Sequence, residues 1–191
     1  RFPMGVSIMM IKMTIIRIRV SFFLHILILL SSLAFVFSGC KEMAVKEQTI
    51  SYVYVNATSG NDTLGDGSPG NPFRTITKGL SMASDSYTVE VQPGIYDASM
   101  GEIFPLHLKQ NVTVEGDLTN KGNGSTPTII RGSGTFTSSS LGNQSVAVTC
   151  ADNATIGGFR IEAPNGTGIW CEGDFIVNEV RKNTITNSDY G

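Results

Sequence analysis

From residue 52 on, apolar and polar residues alternate in short runs, and Gly, Asn, Asp or Pro closes most runs. Val112/Val114, Val146/Val148 and Ile169/Cys171 carry the alternation, the mark of strands with one buried face. It predicts strands over 52–55, 88–91, 111–115, 128–131, 145–149, 154–162, 168–172 and 175–180. One stretch departs from period two. Ile76, Leu80 and Ala83 recur at helical spacing behind Phe73, so a single short helix is expected there. Asn71 is expected to cap it and Pro72 to occupy its first turn, where a missing N–H costs nothing. Before it, Gly60, Asn61, Asp62, Gly65, Asp66, Gly67 and Pro69 form a dense cluster of chain breakers, hence a loop.

An internal repeat separates the remaining all-β architectures. ATIGGFRIEA from Ala154 matches EVRKNTITNS, pairing Ile156 with Val180, Phe159 with Asn183 and Ile161 with Ile185, each 24 residues apart. Val146 and Val148 recur as Ile169 and Cys171 after 23 residues. About three short strands per period describe one coil of a parallel β-helix, a β-solenoid in which each coil covers the next. The lone helix then belongs at the start, over strand edges and core. Asn183 is expected to bond to backbone at a bend. Cys150 and Cys171, outside the cytoplasm, could pair, but in this register they lie diagonally on neighbouring strands, longer than a disulfide comfortably spans, and read as small core fillers.

The segments YVNATSGNDTLGDGSPGNPFRTITKGL, VQPGIYDASMGEIFPL and NVTVEGD follow one another between residues 54 and 117. In order and spacing they resemble the opening of domain-of-unknown-function family 1565. The residues of that motif are Gly60, Asn61, Asp62, Gly67, Pro72, Thr75, Pro93, Gly94, Tyr96, Gly101, Glu102 and Pro105. The resemblance implies an all-β fold, a right-handed parallel β-helix with one N-terminal capping α-helix, on a secreted or surface protein of no agreed activity. A similar opening precedes some pectate-lyase-like β-helix enzymes, which points toward carbohydrate.

The first 40 residues have another character. Arg17 and Arg19 precede an apolar run from Val20 to Phe37, followed by Ser38-Gly39-Cys40. These are the three parts of a secretory signal, and the ending resembles a bacterial lipobox, with Phe37 in place of the usual aliphatic residue. Cys40 is the expected lipidation site, so the membrane is an expected partner through a lipid anchor and the cell envelope the expected location. The alternative is a transmembrane anchor, since about 18 apolar residues can span a bilayer. Residues before Met13 read as upstream read-through, 41–51 as a tether, and 52–191 as the N-terminal part of a β-helix that continues past Gly191. The leader holds four basic groups (Arg1, Lys12, Arg17, Arg19) and no acidic one; of 14 basic and 16 acidic residues, 10 and 16 remain beyond Cys40. An acidic body without a basic cluster argues against nucleic acid.

Candidate chemistry is sparse. Asp62 and Asp66 could hold a hard cation such as Ca²⁺, though turn chemistry explains both; no cofactor is otherwise expected. Glu102 and Asp97 read as structural hydrogen-bond acceptors, and a glycosidase pair would need two facing carboxyls. A β-elimination lyase would need a cation site and a basic residue on the outer strand face. Arg131, Arg160, Arg181 and Lys182, with Asp152, Glu172 and Asp174, are available there, without an acidic ladder at the repeat period. Trp170 is expected to point outward, where an indole can stack on a sugar. His107 is the sole histidine beyond the leader, which excludes a multi-histidine metal site. Seven N-x-[ST] sequons, from Asn56 to Asn165, are expected to stay bare. Two functions remain: a surface module contacting polysaccharide or a surface protein, or part of a polysaccharide lyase or glycoside hydrolase with catalytic coils beyond Gly191.

Overall fold

The computed structural model describes residues 51–173 and 179–189, all within one compact unit, Gln48–Gly191. The leader with Cys40, the tether up to residue 50, Asp174 and the start of the strand expected over 175–180 lie outside the described residues. The elements run β1 (Ser51–Val55), α1 (Ile76–Met82), β2 (Tyr87–Val91), β3 (Gly94–Asp97), a 3-10 turn (Ala98–Met100), β4 (Leu106–His107), β5 (Thr113–Glu115) and β6 (Thr128–Arg131). They continue as β7 (Gly134–Ser138), β8 (Gly142–Thr149), β9 (Thr155–Gly157), β10 (Arg160–Glu162), β11 (Thr167–Trp170), β12 (Glu179–Arg181) and β13 (Thr184–Thr186). The described chain is mostly β with one α-helix.

From β2 onward the strands fall into three sheets in rotation. The first sheet has the order β1-β2-β5-β9-β12, the second β3-β6-β10-β13 and the third β4-β8-β11. All these pairings are parallel, while β7 pairs antiparallel with β8. Each sheet contributes a row of apolar residues to one core. Val53, Val89, Val114 and Ile156 are aligned rung to rung in the first sheet, Tyr96, Ile130 and Ile161 in the second, and Leu106, Val148 and Ile169 in the third. All are buried except Ile169, which packs at the margin. Each fully buried aliphatic side chain in such a row contributes about 1.5–3 kcal/mol relative to exposure.

The 24-residue register is present: Val180 pairs with Ile156 and Ile185 with Ile161. Asn183 sits at the bend between them. Its amide donates to Ile156 O at 3.0 Å and accepts from Phe159 N at 3.0 Å. The single strand expected over 154–162 is instead two, β9 and β10, because Gly158 turns the chain at φ +84°. A Cβ there would lie 2.7 Å from backbone atoms of Gly116 and Asp117, so glycine permits both the turn and the close approach.

A second corner carries a side-chain ladder one residue column long. Asn153 Nδ2 donates to Asn111 Oδ1 at 2.9 Å, and Asn111 Nδ2 to Asp85 Oδ2 at 3.3 Å. Both asparagines have positive φ, 59° and 51°, which Asn tolerates better than branched residues.

The cysteine expectation is overturned. Cys150 and Cys171 form a disulfide with Cα atoms 4.8 Å apart. The actual register between β8 and β11 is 21 residues, with Val148 opposite Ile169 and Thr149 opposite Trp170. The next pair is therefore Cys150 and Cys171, and Cys150 N donates to Trp170 O at 2.9 Å. A two-residue slip keeps every side chain on its face, so alternation could not distinguish 21 from 23. Cys171 is exposed rather than a core filler.

Candidate functional site

Three of the family-motif residues, Asp62, Thr75 and Glu102, meet at the start of α1. The expected caps are corrected: Thr75, not Asn71, is the N-cap, with its hydroxyl accepting from Lys78 N at 3.0 Å. Pro72 stays outside the helix, because Phe73 bridges to Val55 of β1 and holds the chain extended. The expected apolar face is nonetheless correct, with Phe73, Ile76, Leu80 and Ala83 all buried. Gly79 lets the helix approach the sheet; a Cβ there would lie 2.7 Å from Val55 and 3.0 Å from Val89.

The open N–H groups of this helix find two carboxylates. Asp62 Oδ1 accepts from Arg74 N at 2.7 Å and Thr75 N at 3.1 Å, and Oδ2 accepts from Thr75 Oγ1 at 2.8 Å. Glu102, 4% exposed, accepts from Ile76 N at 2.5 Å through Oε1. Its Oε2 accepts from Thr77 N at 2.9 Å and Thr77 Oγ1 at 2.6 Å. Burial pushes the Glu102 carboxyl above its ordinary range, against the pull of the Thr77 and Ile76 hydrogen bonds, and the nearby Asp62 charge adds to the rise. Both carboxylates thus complete a helix end, and Asp62 is spent there rather than on Asp66. Asp66 is exposed, and the Ser68 side chain, then the Ser68 N–H that donates to it at 2.9 Å, lower its carboxyl. Among the described residues no group of three or more His, Cys, Asp or Glu side chains could hold a metal ion.

The other motif positions shape the same end of the molecule. Asn61 Oδ1 accepts from Thr63 N and Leu64 N, and a Cβ on Gly60 would lie 2.2 Å from Phe73 O. Gly67 (φ +79°) lies against the Phe73 ring, and its carbonyl accepts from Tyr54 N at 2.8 Å. Pro93 precedes Gly94, whose N–H donates to Pro127 O at 2.9 Å; a Cβ on Gly94 would lie 2.9 Å from that of Ala57. Tyr96, wholly buried, donates to Gln92 O at 2.7 Å and accepts from Ala57 N at 3.2 Å, and burial raises its phenol pKa. Gly101 (φ +101°) closes the 3-10 turn that Asp97 opens by accepting from Ser99 N at 2.9 Å. Pro105 follows a cis peptide bond and borders a cleft of about 210 Å³ with Leu80, Ile103 and His107. His107 Nδ1 lies 2.7 Å from Thr149 Oγ1, a partner 42 residues away for which the sequence held no signal.

Of the outward cations, the three arginines are engaged. Arg131 Nε donates to Glu162 Oε2 at 2.7 Å. Arg160 Nε lies 2.9 Å from Glu162 Oε1 without hydrogen-bond alignment. Arg181 bonds to Glu115 and lies 3.3 Å from Glu179. Trp170 is half-buried beside Phe136, with ring centroids 6.4 Å apart, and donates to Glu172 Oε2 at 2.9 Å. Glu172 also accepts from Ser139 N at 2.7 Å and from its hydroxyl. The Ser139 hydroxyl, then the Trp170 indole, hold this carboxyl at about 2. Glu172 thereby pins the β7–β8 turn to the end of β11.

One outward surface was missed in the sequence because its members stand 24 to 42 residues apart from strand to strand. On the first sheet, register sets Tyr52, Thr88, Thr113, Thr155 and Glu179 in one row, and Tyr54, Glu90, Glu115, Gly157 and Arg181 in the next. The Tyr52 and Tyr54 rings lie 6.0 Å apart at 30°. Compared with curated proteins and with solved structures, the chain matches none. The family model described as "Protein of unknown function (DUF1565)" matches residues 58–191, so the chain belongs to that family.

Proposed function

We propose that the domain is a right-handed parallel β-helix, held outside the cytoplasm by lipid on Cys40, whose outer strand faces bind carbohydrate without cleaving it. The observation that carries the binding role is the outward face of the first sheet, where an aromatic pair adjoins the partly exposed carboxylates of Glu90 and Glu115. Aromatic faces beside hydrogen-bonding groups suit a sugar ring. The rotation of strands through three parallel sheets supports the β-helix, and the Cys150–Cys171 disulfide fits an oxidising compartment. Arg131, Arg160 and Arg181 already pair with carboxylates, and Glu102 and Asp62 already serve α1. These engaged groups support a module that holds rather than transforms its ligand.

On a glycan array the protein should retain ligands, and incubation should release no new reducing ends and no unsaturated product. Detected cleavage would establish the lyase or hydrolase alternative instead. Expressed in a bacterium with its leader, the protein should incorporate labelled palmitate, and Cys40→Ala should not. Equal labelling of the two removes the anchor.

A further inference from the structure

Inserted segments cross the outer faces of two sheets. The loop 116–127 lies over the second: a Cβ on Gly122 would sit 2.0 Å from Arg160 N, and Asn123 Nδ2 donates to Thr184 Oγ1 of β13 at 2.6 Å. On the third sheet Ala147 and Thr149 are only 0% and 5% exposed, and β7 adds an antiparallel strand alongside residues 142–146 of β8. On the first sheet Thr88 is buried and Leu118 of the loop 116–127 lies 2.8 Å from where a Cβ on Gly157 would stand, so the open part is the β1–β2 side, with Tyr52 half exposed and Tyr54, Glu90 and Glu115 partly so.

The charge on that open face is unbalanced. Glu90 and Glu115 are directly opposite on neighbouring parallel strands, about 4.8 Å apart, an arrangement of like charges that is unfavourable by itself. Arg181 relieves only Glu115. It reaches that residue across Gly157, where a Cβ would come within 3.0 Å of Arg181 Cγ. Glu90 accepts from the neutral amide of Gln92 at 3.1 Å and, among the described residues, has no ion-pair partner. Tyr54 is its direct neighbour on β1. The surface therefore offers an aromatic shelf with an uncompensated carboxylate at its edge. Tyrosine faces and a carboxylate together attract an ammonium group.

We propose that the outer face of the first sheet binds an amino-sugar glycan with free amino groups. A pyranose ring stacks on Tyr52 and Tyr54, and its ammonium meets Glu90. The proposal rests on the carbohydrate-binding reading above and names its ligand class. A uronate chain would set its carboxylates against Glu90 and Glu115, and a neutral chain would leave the charge unanswered.

The test is titration calorimetry of the full chain with a glucosamine hexamer, its N-acetylated counterpart and a galacturonate hexamer. The glucosamine hexamer should bind, and rising salt should weaken it severalfold. Glu90→Gln and Tyr54→Ala should each weaken it about tenfold, with unchanged circular dichroism and melting temperature, while Trp170→Ala should leave it intact. Equal affinity for the N-acetylated hexamer, or undiminished binding by Glu90→Gln, overturns the proposal. So does a basic peptide that binds this face when the glycan does not. Retention of other glycans on the array without the glucosamine hexamer sinks this inference alone. Retention of none sinks the broader reading as well.

Discussion

Replacing Glu102 with alanine should lower the melting temperature by roughly 10 °C, corresponding to about 3 kcal/mol for a domain of this size. The carboxylate satisfies Ile76 N–H, Thr77 N–H and the Thr77 hydroxyl, all at a nearly closed site. Truncation leaves these donors without an acceptor where water has little access, and a buried unsatisfied donor costs about 1–3 kcal/mol. The effect should extend past α1, because Thr77 Oγ1 also accepts from Ile103 N at 3.1 Å. Glu102→Gln keeps the shape but turns an N–H₂ toward a backbone donor, so it should recover only part of the loss. A melting temperature within two degrees of wild type for the alanine variant would mean that α1 draws its stability from its apolar face alone.

The same residue gives a pH dependence of known sign. Burial raises its folded-state value above the ordinary 4.5. A carboxyl that holds its proton more tightly folded than unfolded contributes fully below the unfolded value. It loses that contribution as pH rises through the folded value. The stability advantage of wild type over Glu102→Gln, measured by urea unfolding, should therefore shrink as pH rises from about 4 toward neutrality. The carboxylates Asp66, Asp97 and Asp117, lowered by hydrogen bonds, act with the opposite sign and cancel in the difference. An advantage that grows with pH would show that the helix N–H groups outweigh desolvation.

Legibility in the sequence followed the range of the governing interaction. Alternation marked Val112/Val114 and Val146/Val148 because one buried face is a local pattern. The repeat exposed the Ile156–Val180 and Ile161–Ile185 rungs because nothing is inserted between those coils. The coils before it are stretched by the loop 116–127 and the β7–β8 hairpin, which place Thr113 and Thr155 42 residues apart across one rung. No fixed period survives there. β3 escaped because Pro93-Gly94 reads as a stop, although Tyr96 two residues on is core. β4 is two residues long, too short for any pattern. The helix stripe was legible, but its cap was not: Phe73 bridges to β1, a tertiary contact that moves the start from Asn71 to Thr75. Glu102 was recognisable as a structural acceptor, yet its partners lie about 25 residues upstream. The tyrosine–carboxylate face depends wholly on which strands become neighbours.

Breaking the Cys150–Cys171 bond should cost a comparable amount, about 3 kcal/mol for a loop of this length, and roughly 10 °C in melting temperature. The link joins the ends of two neighbouring strands of the third sheet, with 20 residues between its cysteines. Between them lie β9, β10 and β11, hence one full circuit of the three sheets. The cross-link prevents that circuit from opening fully in the unfolded chain, which is where most of its effect is expected. Cys171 is exposed, so a reductant should reach the bond in the folded protein. Dithiothreitol should then reproduce the melting temperature of a Cys150→Ser/Cys171→Ser variant, and adding it to that variant should change nothing. Non-reducing peptide mapping should recover the two cysteine peptides linked. Two titratable thiols in the native, oxidised protein would return these residues to simple packing. They would also remove the support that the bond lends to a location outside the cytoplasm.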